Sequence, residues 1–102
     1  MFPALSAELQ HLLFGQGEPE LATQVPGLTV LDRCRCGDDF CATFYTQPKP
    51  KEPYGPESRT VALEPSTGHL IVDVVDGTVA TVEVLYREEI RQKLLATFPD
   101  KP

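Results

Sequence analysis

No run in this chain is long and apolar enough to cross a bilayer, so the sequence predicts no membrane span. Positive charge is also scarce. Nine Lys and Arg stand against fifteen Asp and Glu, a formal charge of −6 with a pI near 4.7, and such a surface repels phosphate backbones. The densest basic pairs, Arg33 with Arg35 and Lys49 with Lys51, lack the interleaved aromatic residues that base stacking needs, so nucleic acid is not an expected partner. There is no phosphate-cradling glycine loop, no HExxH and no GxSxG, which removes the commonest local signatures of nucleotide, zinc-protease and serine-hydrolase chemistry. The opening stretch MFPALSAELQHLLFG has no cationic leader and carries Glu8, Gln10 and His11 inside its apolar region. It reads as a helix rather than a secretion signal, and the expected compartment is the cytoplasm, where thiols stay reduced.

What is present is a globular composition. A chain of 102 residues, 41% hydrophobic and 24% charged, is expected to form a single domain over residues 1–102 with one modest core. Leu5, Leu9, Leu12 and Leu13 recur at helical spacing, and Gly15 stands where a left-handed C-terminal residue would end the helix. Glu20 to Gln24 reads as one further helical turn, broken by Val25-Pro26-Gly27. Alternating, β-branched residues then predict strands over Leu28 to Cys36 and Phe40 to Thr46, reversed at Gly37-Asp38-Asp39. Gln47 to Ser58, QPKPKEPYGPES, holds four prolines in twelve residues and is expected to be an extended, mobile loop.

The remaining strands are Thr60 to Leu63, Leu70 to Val75 and Thr78 to Tyr86. Asp76-Gly77 is a two-residue turn of residues that tolerate positive φ. Val75 opposite Thr78 extends to Ile71 opposite Val82, a register that makes both faces of this hairpin apolar, so that it is central and covered on both sides or one face joins another subunit. Arg87 to Phe98 closes the sequence as a helix with Ile90, Leu94 and Phe98 on one stripe, Glu89 four residues before Lys93, and Pro99 as its stop. The predicted fold is α+β: an antiparallel β-meander of about five strands with an N-terminal and a C-terminal helix packed against it.

All three cysteines lie in RCRCGDDFC, Arg33 to Cys41. A three-residue turn would place Cys36 opposite Phe40 and Cys34 opposite Ala42, with Val30, Cys34, Cys36, Phe40, Ala42 and Phe44 forming a core face and Cys41 pointing away. A two-residue turn at Asp38-Asp39 would instead place Cys36 opposite Cys41 and Cys34 opposite Thr43, gathering the three sulfurs but turning Arg33 and Arg35 toward Phe40, Ala42 and Phe44. The first register makes the better core and is the expected one, with the cysteines packing as small hydrophobes. The second would make Cys34, Cys36 and Cys41 a zinc-type metal site. The spacing C-x-C-x4-C departs from the usual C-x2-C pairs of closed zinc sites and needs a fourth ligand, for which His69 or His11 is available. A nucleophilic Cys41 beside Arg35, assisted by a histidine with Asp32 or Asp73, has no local signature to support it, and Asp38-Asp39 reads as solvated turn residues.

The segment ELATQVPGLTVLDRCRCGDDFCATF, followed by VDVVDGTVATVEVLY, resembles a family of small bacterial proteins of uncharacterised function. In these a short helix and a proline lead into a strand ending in a C-x-C-G turn, and a terminal hairpin carries an aspartate-glycine turn. Cys34, Cys36 and Gly37 match the first feature, and Asp76, Gly77, Val82, Glu83 and Val84 the second. The resemblance covers Glu20 to Tyr86; the proline-rich insertion and Arg87 to Phe98 depart from it. It implies a bacterial origin and a recurring domain, and no activity.

The sequence therefore predicts a non-enzymatic cytoplasmic domain without a cofactor that binds a protein, including a second copy of itself as a homodimer through the two-sided hairpin. The alternatives are a small zinc-binding protein using the cysteine turn with His69, and an acidic inhibitor or immunity-type protein that masks a basic partner.

Overall fold

A computed structural model describes residues 2–48 and 58–99. Helix α1 spans Pro3–Gly15 and starts on Pro3, where a missing N–H leaves no bond unmade. Leu5, Leu9 and Leu13 form its buried stripe. The left-handed residue comes two positions later than expected: Gly15 is still helical, and Gly17 takes φ 78°. Helix α2, Pro19–Gln24, buries Leu21 and Ala22, and Val25–Gly27 continues as a single 3-10 turn before the chain extends.

Five antiparallel strands follow, β1 (Asp32–Arg33), β2 (Phe44–Tyr45), β3 (Ser58–Ala62), β4 (His69–Val75) and β5 (Thr78–Leu85), and helix α3 (Glu88–Thr97) ends the described chain. Their order across the sheet is β1-β2-β5-β4-β3. The run β3-β4-β5 meanders through its turns, and the β1-β2 hairpin is added on the other side of β5, where Phe44 pairs with Val82 at the centre of the core. Of the stretch expected as a mobile loop, 49–57 lies outside the described residues, while Ser58 already opens β3.

The first two strands are shorter than predicted. Regular pairing is confined to two residues on each, and beyond it single bonds hold the segments: Leu31 N–H to Tyr45 O at 2.8 Å, Cys34 N–H to Thr43 O at 2.8 Å and Ala42 N–H to Val84 O at 2.7 Å. The ladder stops because the Thr43 hydroxyl accepts the Val84 N–H at 3.2 Å, and because the cysteine segment curls away from β2.

In the β4-β5 hairpin Asp76 (φ 52°) and Gly77 (φ 75°) make the expected two-residue turn, with Val75 opposite Thr78. A bulge then shifts the register at Asp73/Val74, so that Ile71 pairs with Glu83 rather than Val82. The extra residue turns Val82 and Val84 onto the face that Val79 already shares with Leu70, Val72 and Val74, all of them buried. The opposite face mixes half-buried Ile71, Val75 and Leu85 with Asp73 and Glu83, so the two-sided apolar hairpin is not formed. Burial and the Asp73 carboxylate raise the pKa of Glu83 there. The backbone groups around the bulge are met by side chains: Gln24 accepts from Val79 N–H at 3.0 Å, and Thr46 and Gln47 donate to Val79 O at 2.9 and 3.1 Å.

All three helices contribute to one core on the valine face of the sheet. Ile90 and Leu94 are buried and Phe98 packs against them, as the stripe predicts. Phe2 meets Phe44 edge to face with centroids 5.8 Å apart, and the Lys93 ammonium sits 5.9 Å from the Phe2 centroid. Arg87 fixes α1 to the start of α3 through bonds of 2.9 and 2.6 Å to the two oxygens of Glu8, whose pKa it lowers. The Arg87 Nε–H donates to Thr67 O at 2.9 Å, so one guanidinium joins the N-terminal helix, the C-terminal helix and the β3-β4 turn.

Candidate metal centre

Register decides what the cysteines do. Asp32 opposite Tyr45 and Arg33 opposite Phe44 align Cys34 with Thr43, not with Ala42, so the register is not that of the expected three-residue turn; past Cys34 the ladder ends, and the chain reverses in a turn from Asp38 to Cys41 with Asp39 and Phe40 at its centre. The Cys34 N–H to Thr43 O bond of 2.8 Å holds this alignment, Gly37 takes φ 83°, and Cys41 N–H closes on Asp38 O at 3.3 Å. Glycine adopts that φ without strain, so the chain bends away from the ladder ahead of the Asp38–Cys41 turn and the cysteines face one another. The expected core face is therefore not built from cysteine. Cys34 and Cys41 are half-buried free thiols, Cys36 is an exposed one, and their sulfurs all lie within 4.8 Å of one another. Phe40, expected inside, is exposed and stacks on Tyr86 at 5.4 Å.

The same register sends Arg33 inward beside buried Ala42 and Phe44, leaving it 8% exposed. Its charge is accommodated by carbonyls: Nε–H donates to Phe98 O at 2.5 Å and Nη1–H to Cys34 O at 3.4 Å. Phe98 O lies just past the end of α3, where helix carbonyls lack partners and the dipole favours a cation. Arg33 thus ties the C-terminal helix to the cysteine hairpin. Arg35 pairs with Asp32 at 2.9 Å and donates to Pro99 O at 3.5 Å.

Electrostatics distinguish the thiols. Around Cys36 the Asp38 N–H bond favours the thiolate, but burial and the Cys41 and Cys34 sulfurs outweigh it and push the thiol up to about 11. At Cys41 burial favours the thiol, yet hydrogen bonds from the Thr43 hydroxyl and N–H and from the Cys36 and Cys34 thiols hold the pKa below the usual cysteine value. Cys41 is the sulfur that ionises ahead of Cys36. A cavity of about 180 Å³ opens on the cluster, walled by Cys34, Cys36, Cys41, Thr43, Arg33 and Arg35 on the hairpin side and by Arg91, Leu94 and Leu95 of α3.

Neither histidine joins the sulfurs. His69 pairs with Leu85 from one side while Cys41 bridges Leu85 from the other, which separates them by two strand spacings, roughly 10 Å. The His69 ring instead lies 5.6 Å from that of Tyr86, and His11 is exposed on α1. Among the described residues the metal-ligating group here is Cys34, Cys36 and Cys41 alone. Asp32 accepts from Arg35, and Asp73 accepts from Thr60 at 3.0 Å, so neither carboxylate orients a histidine as a nucleophilic triad requires. Asp38 and Asp39 are exposed.

Sequence reasoning missed Thr43 and Arg33. Both matter only in the observed register, and the one local signal was Thr43 following Cys41 at the spacing of same-face neighbours on a strand. Three sulfurs on an ion with metal–sulfur bonds of about 2.3 Å stand roughly 3.8 Å apart in a tetrahedron and 4.0 Å apart in a plane, so closure on an ion asks for shifts of under about 1 Å. No family model matches the chain, and no curated protein or solved structure matches it.

Proposed function

We propose that this protein binds a thiophilic metal ion through Cys34, Cys36 and Cys41, without enzymatic activity of its own. The observation that carries the reading is the convergence of the three sulfurs within 4.8 Å on a turn whose register costs the hairpin a better core. A chain that needed its cysteines only as small hydrophobes would gain from the other register, in which Cys34 and Cys36 are buried and Arg33 faces solvent. The hydrogen bonds from Thr43 that lower the pKa of Cys41 favour its thiolate, which is the ligand form. The hairpin face that motivates binding of a protein, or of a second copy, is less apolar than the sequence suggests: the β5 bulge turns Val82 and Val84 to the helix side and leaves half-buried Ile71, Val75 and Leu85 with Asp73 and Glu83 on the other.

Native mass spectrometry of the untagged, reduced protein tests this, because it reports bound metal and assembly state together. After incubation with zinc or copper(I) and removal of excess ion, one metal per chain is expected, and none on the Cys34→Ser/Cys36→Ser/Cys41→Ser variant. A bare mass under both conditions refutes the proposal.

A further inference from the structure

We propose, resting on the metal-binding reading, that the ion is monovalent copper held by three thiolates alone and exchanged with an incoming thiol ligand rather than a zinc locked in a structural site. The donor set argues for copper. Closed zinc sites are built from four ligands and catalytic ones from three that include imidazole or carboxylate, whereas the group here, among the described residues, is three sulfurs, with His69 engaged with Tyr86 and His11 exposed on α1. Soft thiolates favour copper(I) and zinc alike, so it is the number of donors that separates the two. Copper(I) is a filled-shell ion that accepts two or three ligands without strain.

Position argues for exchange. Cys36 is exposed and the cavity beside the sulfurs is open, so a ligand can approach a bound ion without unfolding the hairpin. Charge is compatible: copper(I) with three thiolates carries −2, and the cavity is lined by the guanidinium groups of Arg33, Arg35 and Arg91 against the one carboxylate of Asp38, Arg35 and Arg91 being also bonded to Asp32 and Glu88. In the exchange step one cysteine gives its proton to water as its sulfur bonds copper in a thiol–copper(I) complex, and the carrier sulfur leaves with its electron pair. The other two cysteines bind as their protons pass to water, and copper stays monovalent throughout.

The test is a competition under anaerobic, reducing conditions. Zinc-loaded protein is mixed with one equivalent of copper(I) as its glutathione complex, and both ions are followed, copper against the chromophoric chelator bathocuproine disulfonate. Displacement of zinc by copper is expected, with one copper per chain and an X-ray absorption first shell of three sulfurs that falls to two in Cys34→Ser. That variant should fold, since Cys34 lies outside the buried core, and circular dichroism checks it. Retention of zinc against copper, or a copper shell containing nitrogen or oxygen, overturns the copper assignment and leaves the metal-binding reading standing. Failure of both ions to bind overturns both.

Discussion

Replacing Arg33 tests whether the register that gathers the sulfurs is also what anchors the C-terminal helix. Its Nε–H bond to Phe98 O is 2.5 Å long and the side chain is nearly buried, so Arg33→Ala removes a charge-assisted bond, about 1.5–3 kcal/mol. It also strips two methylenes from the packed stem, at about 0.8 kcal/mol each. Taken together the loss is about 3 kcal/mol or more, a large part of the stability of a domain this size. The melting temperature should fall by roughly 12 °C or more, at 4–8 °C per kcal/mol for a domain of this length. Arg33→Met keeps the apolar stem and removes the buried charge, so it should cost about 1 kcal/mol. Urea denaturation of the metal-free, reduced protein measures these differences, and hydrogen exchange at the Cys34 amide shows whether the hairpin loosens with the helix. An Arg33→Ala variant within 0.5 kcal/mol of the parent, with Cys34 exchange unchanged, would refute the reasoning.

Two further predictions follow from the turns. Gly68 has φ 69°, and a Cβ there would run into the Leu85 carbonyl oxygen and sit 3.2 Å from Arg87 Nε, so Gly68→Ala should destabilise by about 2 kcal/mol or more; a melting temperature equal to the parent's would show that the β3-β4 turn relaxes freely. In the metal-free protein at pH 8, iodoacetamide should modify Cys41 before Cys36, although Cys36 is the more exposed, because a thiol with its pKa at about 11 is only about one part in a thousand ionised. The preference should narrow as pH rises toward that value, and peptide mapping that finds Cys36 alkylated first would contradict the assigned hydrogen bonds.

Local rules made much of this protein legible. Leucines at helical spacing in α1, the Ile90-Leu94-Phe98 stripe of α3 and the Asp76-Gly77 turn each act over a few residues, where propensity and side-chain direction suffice. The class, α+β with an antiparallel five-stranded sheet between terminal helices, followed from their order. Register was not legible, for one reason seen twice. A strand's faces alternate every residue, so a bulge between Asp73 and Val74, or a one-residue shift that pairs Arg33 with Phe44 instead of Thr43, exchanges inside for outside along the whole segment. The amino-acid order by itself determined that three cysteines would share one hairpin and that the chain would carry more valine than a one-sided strand needs. Tertiary structure alone decided that the sulfurs meet, because only there does the α3 terminus offer the Phe98 carbonyl that makes an inward Arg33 tolerable.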